Sequence, residues 1–303
     1  MAYQVLTPEQ VEQFVDRGWV RLEQAIPRDI ALAAQDVVWR HVEKRGVLKH
    51  DPDTWTVPMV HLKEGYTDPE FQRCNTARLT GAVEDLVGPG RLLRRVVYGE
   101  TEDTLPYGWW PVNFSVGAES PWDVPTEGWH WDGIQFRHYV DSPDQGLLCL
   151  CVFSDIGPRG GATLVAEGSH KLVARFLAGQ PDGIEIGDAI RQVNRSHPWL
   201  AELTGAAEEP DPGVSPPDRI ERFMGRTCED GEGNRLRVVE TTARAGDVYL
   251  CHPFLYHAAS QNHLRVPRFM CNRTMPLRDR LQLRRADKSG ESPLERSIRL
   301  AIE

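Results

Sequence analysis

The chain has no CxxC pair, and its six cysteines, Cys74, Cys149, Cys151, Cys228, Cys251 and Cys271, form no regular framework. That argues against a disulfide scaffold and for free thiols in a reducing cytoplasm. No apolar stretch approaches the roughly 18 residues of a membrane span. The opening MAYQVLTPEQVEQFV lacks a basic segment followed by an apolar one, so no secretory signal is read there. No long basic run and no repeated aromatic–basic pattern occurs, and the formal net charge is −9. These features argue against nonspecific capture of nucleic acid or of anionic membrane. Internal repeats are also absent. The expectation is a cytoplasmic protein acting on a small molecule, with monomer and homodimer both open.

What is present is an ordinary globular composition, 40% hydrophobic and 26% charged over 303 residues, enough to bury a substantial core. Thr7, Pro8 and Gln10 predict a capped N-terminal helix with Val11, Phe14 and Val15 as its apolar stripe. GWVRLEQAI reads as a strand, and Pro27 with Asp29 opens a second helix that runs to about Arg45. Residues 46–75 read as loop, and Thr76 to Val87 as a short helix. From about residue 91 the texture becomes β-like. LLRRVVYGE, WWPVNFSVG, GWHWDGIQF, GLLCLCVFSDI, GATLVAEG, LRVVETTA, DVYLCHP and RFMCNRTM are short runs separated by turn formers. Such spacing predicts a sandwich or barrel. A polar segment, residues 171–234, interrupts it and reads as a lid insertion with one helical piece near Pro198 to Thr204. SPLERSIRLAIE closes the chain as a capped helix. The expected organisation is one domain over residues 1–303. Helices and loops fill 1–90, a β core with the insertion fills 91–275, and a helical tail fills 276–303.

GWHWDGIQF carries the candidate chemistry. On a strand, His130 and Asp132 face the same side and can aim at one point, a proton or a metal ion. A third ligand should come from AGDVYLCHPFLYHAASQNHLRVPRFMCN, which holds His252 and His257. Five residues apart, these two face opposite ways on a regular strand, so one of them joins the site. The small residues after His257 (Ala258, Ala259, Ser260) leave room for a ligand, whereas His252 precedes Pro253 and reads as a packing histidine. Two histidines and one carboxylate on one face of a metal form the triad of non-haem Fe(II) oxygenases. A zinc hydrolase or isomerase can use the same set, though no HExxH supplies its base.

The order of these motifs resembles the phytanoyl-CoA dioxygenase family of Fe(II)- and 2-oxoglutarate-dependent oxygenases over nearly the whole chain. LTPEQVEQFVDRGWVRLEQAI is similar to the family's opening helix–strand unit, GWHWDG to its HxD strand, and GGATLVAEGSHK to its Gly-rich strand. GDVYLCHPFLYHAASQN is similar to the strand of the distal histidine, and RVPRF to the strand of an arginine. The resemblance implies a mainly β fold, a double-stranded β-helix (a cupin-like jelly roll) flanked by helices. It implies His130, Asp132 and His257 as iron ligands, and Fe(II), 2-oxoglutarate and O₂ as cofactor and cosubstrates. Arg268 matches the arginine that clamps the far carboxylate of 2-oxoglutarate, with Arg265 as its rival. A guanidinium fork suits that bidentate task. Asn113 and Thr163 lie where the family's strands approach the cosubstrate. His170 resembles a structural position.

Two departures from the family pattern stand out. Trp131 replaces a common Gln between His130 and Asp132, and Ala258–Ala259 replaces Gly-Ser, which leaves Ser260 to supply a hydroxyl. The resemblance implies C–H hydroxylation with release of succinate and CO₂; the presence of Asp132 argues against halogenation, and desaturation, epimerisation and ring closure are related outcomes. Tyr107, Trp109, Trp110, Trp122, Trp129 and Trp131 are candidates for either pocket wall or core. A non-catalytic jelly-roll binding protein is the remaining alternative, and its triad would be eroded.

Overall fold

The computed structural model describes residues 3–93, 95–97, 100–102, 107–207, 218–285 and 287–303. Helix α1 (Pro8–Arg17) begins in a closed capping box. The Thr7 hydroxyl accepts from the Gln10 backbone N–H at 3.3 Å, and the Gln10 side chain accepts from the Thr7 N–H at 2.9 Å. Strand β1 (Trp19–Leu22) and helix α2 (Arg28–Glu43) follow as expected. The supposed loop of residues 46–75 carries more structure than its composition suggests. Strand β2 (Met59–Leu62) and helix α3 (Pro69–Arg73) lie within it, before α4 (Ala77–Val87). β2 is only four residues long, and it becomes a strand by pairing with a distant partner. A small hairpin of β3 (Arg95–Val97) and β4 (Glu100–Glu102) comes next, then β5 (Trp110–Asn113), the partner of β2. The rest of LLRRVVYGE, residues 94, 98 and 99, lies outside the described residues.

The core begins at β6 (Leu147–Val152) and β7 (Thr163–Glu167). Helices α5 (Ser169–Ala178), α6 (Ile186–Ser196) and α7 (Pro198–Leu203) precede β8 (Cys228–Glu229) and β9 (Arg235–Glu240). Then come β10 (Val248–Cys251), β11 (His257–Ala259), β12 (Met270–Met275) and α8 (Pro293–Ile302). One antiparallel sheet has the order β1-β10-β6-β12 and the other β11-β7-β9-β8. From β9 to β12 the chain alternates between the two sheets, the winding of a double-stranded β-helix.

β6 lies between two apolar layers. Leu148, Leu150 and Val152 face Val165, Tyr249, Cys251 and Met270 between the sheets. Cys149, Cys151 and Phe153 face the helical layer. Every residue of β6 is buried, which explains its uninterrupted apolar run. Cys149 and Cys151 are therefore core residues on one face, and all six cysteines are free thiols.

The segment of residues 171–234 is mostly helical where it is described; residues 208–217 lie outside the described residues. Its helices are amphipathic, with Leu172, Val173 and Leu177 buried on α5 and Ala189 with Val193 on α6. The polar faces of α5 and α6 dominate the local composition and hide the narrow apolar stripe. Among the described residues no helix is long and apolar enough to cross a membrane.

Candidate metal centre

GWHWDGIQF does not form a regular strand. A single antiparallel bridge joins His130 to His257 at the end of β11. The His130 N–H donates to the His257 carbonyl at 3.0 Å, and the His257 N–H donates back at 2.8 Å. Two residues 127 positions apart are thus locked side by side by their own backbone. The i, i+2 arrangement holds locally. His130 and Asp132 point one way, and Trp131 is fully buried on the other side against Tyr256. The Trp131 indole N–H donates to His138 Nδ1 at 3.2 Å, and His138 Nε2–H donates to the Gly133 carbonyl at 2.9 Å. Gly133, at φ +123°, turns the chain directly after Asp132, and a Cβ there would lie 2.7 Å from the His138 ring.

The three side chains converge. His130 Nδ1 lies 2.7 Å from the Gly128 carbonyl and His257 Nδ1 lies 3.1 Å from the Leu255 carbonyl. A carbonyl only accepts, so each Nδ1 carries the proton and each Nε2 presents a lone pair. Both Nε2 atoms turn toward Asp132 Oδ1, at 3.5 and 3.7 Å. These separations are long for hydrogen bonds. They are close to the roughly 3–3.5 Å spacing of ligands that share one ion at about 2.1 Å. The three ligand atoms lie within 4.8 Å of one another, and the buried His257 Nε2 has no hydrogen-bond partner. Asp132 Oδ2 accepts from Asn272 Nδ2 at 3.3 Å. Burial works against the Asp132 charge, but His257 and His130 outweigh it and hold its pKa below the usual range. Burial lowers the His257 pKa; at His130 burial acts the same way, but the neighbouring Asp132 carboxylate favours the charged ring and overrides it, raising the value. The His130 side chain is 42% exposed while His257 is buried, so the centre opens to solvent on the His130 side. Ile134 stands beside that opening in sequence and is 79% exposed.

Arg268 lies inside the β-helix, 2% exposed. Its Nε–H donates to the Gly161 carbonyl at 2.9 Å, and one terminal nitrogen, Nη1, is buried without a partner. Among the described residues no carboxylate forms an ion pair with it. Burial lowers its pKa to about 10, which still leaves it charged at neutral pH. A buried cation without a counter-charge is costly, so this guanidinium is suited to an anion that arrives from outside. Arg265 lies in the preceding turn and is exposed. Thr163 faces Ala259 across the β7–β11 ladder, two residues from the Val165–His257 pair, and its buried hydroxyl donates weakly to the Met270 sulfur at 3.6 Å. The Asn113 oxygen accepts from the Val116 N–H at 3.0 Å, and its amide donates to the Ser260 carbonyl at 3.3 Å. At most one Asn113 N–H remains for a ligand. The Ser260 hydroxyl donates to the Ala162 carbonyl at 2.6 Å.

His252 lies elsewhere. It is buried beside His170, ring centroids 4.7 Å apart, and its Nδ1 accepts from the Phe254 N–H at 3.1 Å. The aromatic residues divide unevenly: Tyr107, Trp110, Trp122, Trp129 and Trp131 are buried, and only Trp109 of this group is exposed. Sequence reasoning missed Asn272. Its signal was available, since it lies four residues after Arg268 and so faces the same side of an extended strand.

The chain matches no family model and no curated protein sequence. Solved structures do resemble it. EctD from S. alaskensis, crystallised with 2-oxoglutarate and 5-hydroxyectoine, is 16% identical; the match covers 90% of this chain and 77% of that one, with a TM-score of 0.50. HygX from Streptomyces hygroscopicus, with nickel and 2-oxoglutarate bound, is 15% identical over 89% of this chain and 86% of that one, TM-score 0.45. The epimerase SnoN, in complex with Fe3+, alpha ketoglutarate and nogalamycin RO, is 15% identical over 87% and 80%, TM-score 0.44. At such identity the likeness to EctD is one of architecture: the two chains share the jelly-roll fold.

Proposed function

We propose that the chain is a non-haem Fe(II)- and 2-oxoglutarate-dependent oxygenase that hydroxylates an unactivated C–H bond of a small molecule. One observation carries this reading. A two-histidine, one-carboxylate face and a buried, unpaired arginine lie within the same β-helix. The triad alone would suit zinc as well; the arginine asks for an anionic cosubstrate in addition.

His130, Asp132 and His257 would hold the ion by Nε2, Oδ1 and Nε2, leaving the other side of the metal open. When bound, iron with 2-oxoglutarate and O₂ supplies an oxidant strong enough to break a C–H bond, with succinate and CO₂ released. The protein's own contribution is placement. Arg268 would clamp the far carboxylate of 2-oxoglutarate, and Thr163 would donate its hydroxyl toward the same ligand. Asn113 and Ser260, committed largely to backbone, would stiffen that cradle. Trp131 and His138 would fix the backbone that presents His130 and Asp132. A small-molecule substrate is supported by the 5-hydroxyectoine held in EctD. Membership of the phytanoyl-CoA dioxygenase family, hydroxylation rather than epimerisation or desaturation, and a covering role for residues 171–234 belong to the same proposal.

The test needs no knowledge of the substrate. The apo-protein is loaded with Fe(II) and 2-oxoglutarate without oxygen, and the visible spectrum is recorded. A weak charge-transfer band, lost in His130→Ala and weakened in Arg268→Ala, is the expected result. Iron binding without the band removes 2-oxoglutarate and favours the hydrolase or isomerase reading, in which Arg268→Ala leaves activity intact.

A further inference from the structure

We infer that Asn272 is a positioning residue that keeps Asp132 a one-oxygen ligand; this rests on the metal reading above. Asp132 uses its two oxygens differently. Oδ1 faces His130 Nε2 and His257 Nε2 at 3.5 and 3.7 Å, while Oδ2 accepts from Asn272 Nδ2 at 3.3 Å. The hydrogen bond fixes rotation about the Asp132 Cβ–Cγ bond with Oδ1 inward. Were Oδ2 free, the carboxylate could swing and chelate the ion through both oxygens, taking a position that a cosubstrate needs.

Two further observations favour this role over ordinary packing. Asp132 is the only hydrogen-bond partner of the Asn272 side chain among the described residues, and the buried Asn272 Oδ1 has none. The amide is therefore held from the Asp132 side alone. The carboxylate also sets its orientation, because only the NH₂ end can face an anion. Asn272 reaches the site from β12, opposite Leu150 in a six-residue antiparallel ladder with β6. The same stretch of chain bears Arg268 four residues earlier, about 13 Å away along an extended backbone. One rigid segment thus serves both ends of the proposed ligand array.

The residue type fits the task. A lysine would neutralise Asp132 and compete with the metal, and an aspartate would repel it. A neutral amide orients the carboxylate and leaves its charge for the ion.

The experiment titrates the full apo-chain with Co(II) alone, read by its visible d–d absorption, in wild type, Asn272→Leu and Asn272→Ser. Partners that orient a ligand usually contribute 10- to 100-fold in metal affinity. Asn272→Leu, close in shape and without a donor, is expected to bind about 10- to 100-fold more weakly, with a shifted d–d band and an unchanged apo melting temperature. Asn272→Ser keeps a donor and is expected to fall between, and it carries the comparison should the leucine variant fail to fold. Unchanged affinity and band in the variants, with wild type binding normally, would overturn the positioning role and leave the metal reading standing. A wild type that binds no Co(II) overturns both.

Discussion

Two pairs of histidines sit in this molecule at nearly the same ring separation, and they do opposite things. His130 and His257 have centroids 4.4 Å apart; His170 and His252 have centroids 4.7 Å apart. In the first pair both Nδ1 atoms face backbone carbonyls, so both Nε2 lone pairs turn to one point beside a carboxylate. In the second pair the bonded nitrogens differ. His170 donates from Nε2 to the Val15 carbonyl at 3.2 Å, while His252 accepts at Nδ1 from the Phe254 N–H. The leftover atoms are then an acceptor on one ring and an N–H on the other, and among the described residues no carboxylate is bonded to either ring. Proximity of imidazoles does not make a metal site. Matching tautomers and a shared carboxylate bring three ligand-type atoms to one point.

The largest effect that sharpens this contrast is a reciprocal one. His257→Ala should lower metal affinity by at least 100-fold in a titration and change the apo-protein's stability little. Removing the ring takes away a buried Nε2 with no partner, which offsets the loss of the 3.1 Å bond from Nδ1 to the Leu255 carbonyl. His252→Ala should do the reverse. It empties a site walled by Phe14, Phe254 and His170, and should cost about 2–4 kcal/mol in urea unfolding while metal affinity stays at wild-type value. A His252→Ala protein that remains fully stable yet loses its metal would break the comparison.

A smaller effect separates the pairs by pH. Burial pushes the His170 pKa down to about 3 and that of His252 well below its ordinary value. Lys171 adds to the depression at His170 and Asp16 opposes it, while the His170 ring adds to the depression at His252. The unfolded chain takes up these protons near pH 6.5 and the folded chain resists them. Stability is therefore complete above pH 6.5 and falls as the pH drops, by about 1.4 kcal/mol per pH unit for each histidine. His252→Phe should make the urea midpoint less sensitive to acid between pH 6.5 and 5 by one histidine's share. An unchanged slope would mean that His252 is already protonated in the fold.

The same contrast explains what the sequence could reveal. His130 and Asp132 announce themselves by spacing, and the small residues after His257 distinguish it from His252. Arg268 and Arg265 differ by three positions, which puts one inside and one in an exposed turn. The helices and most core strands are written in caps and apolar periods, from Thr7 and Gln10 to Ser292 and Glu295. Other features depend on partners far along the chain. β2 exists because β5 pairs with it. GWHWDGIQF reads as a strand, yet only His130 forms a bridge, because Gly133 turns the chain away at once. The strand face of Asn272 is legible from its spacing to Arg268, but its reach to Asp132, like the bond from Asn113 to the Ser260 carbonyl, is a tertiary fact that no local pattern encodes.

Trp131 gives the smallest and most specific test. It stands between two metal-ligand candidates and takes no part in the cluster; its indole N–H is spent on His138, and its ring packs on Tyr256. His138 in turn ties back to Gly133, so the bond closes a loop around Asp132. Trp131→Phe keeps most of the apolar surface and deletes that one donor, leaving the buried His138 Nδ1 without it. The expected cost is about 1–2 kcal/mol in unfolding. Metal affinity should fall by a smaller factor than in His257→Ala, since the backbone pairing of His130 with His257 survives. If affinity collapsed as far as in His257→Ala, the ligand geometry would rest on the buried indole, and the backbone bridge would be secondary.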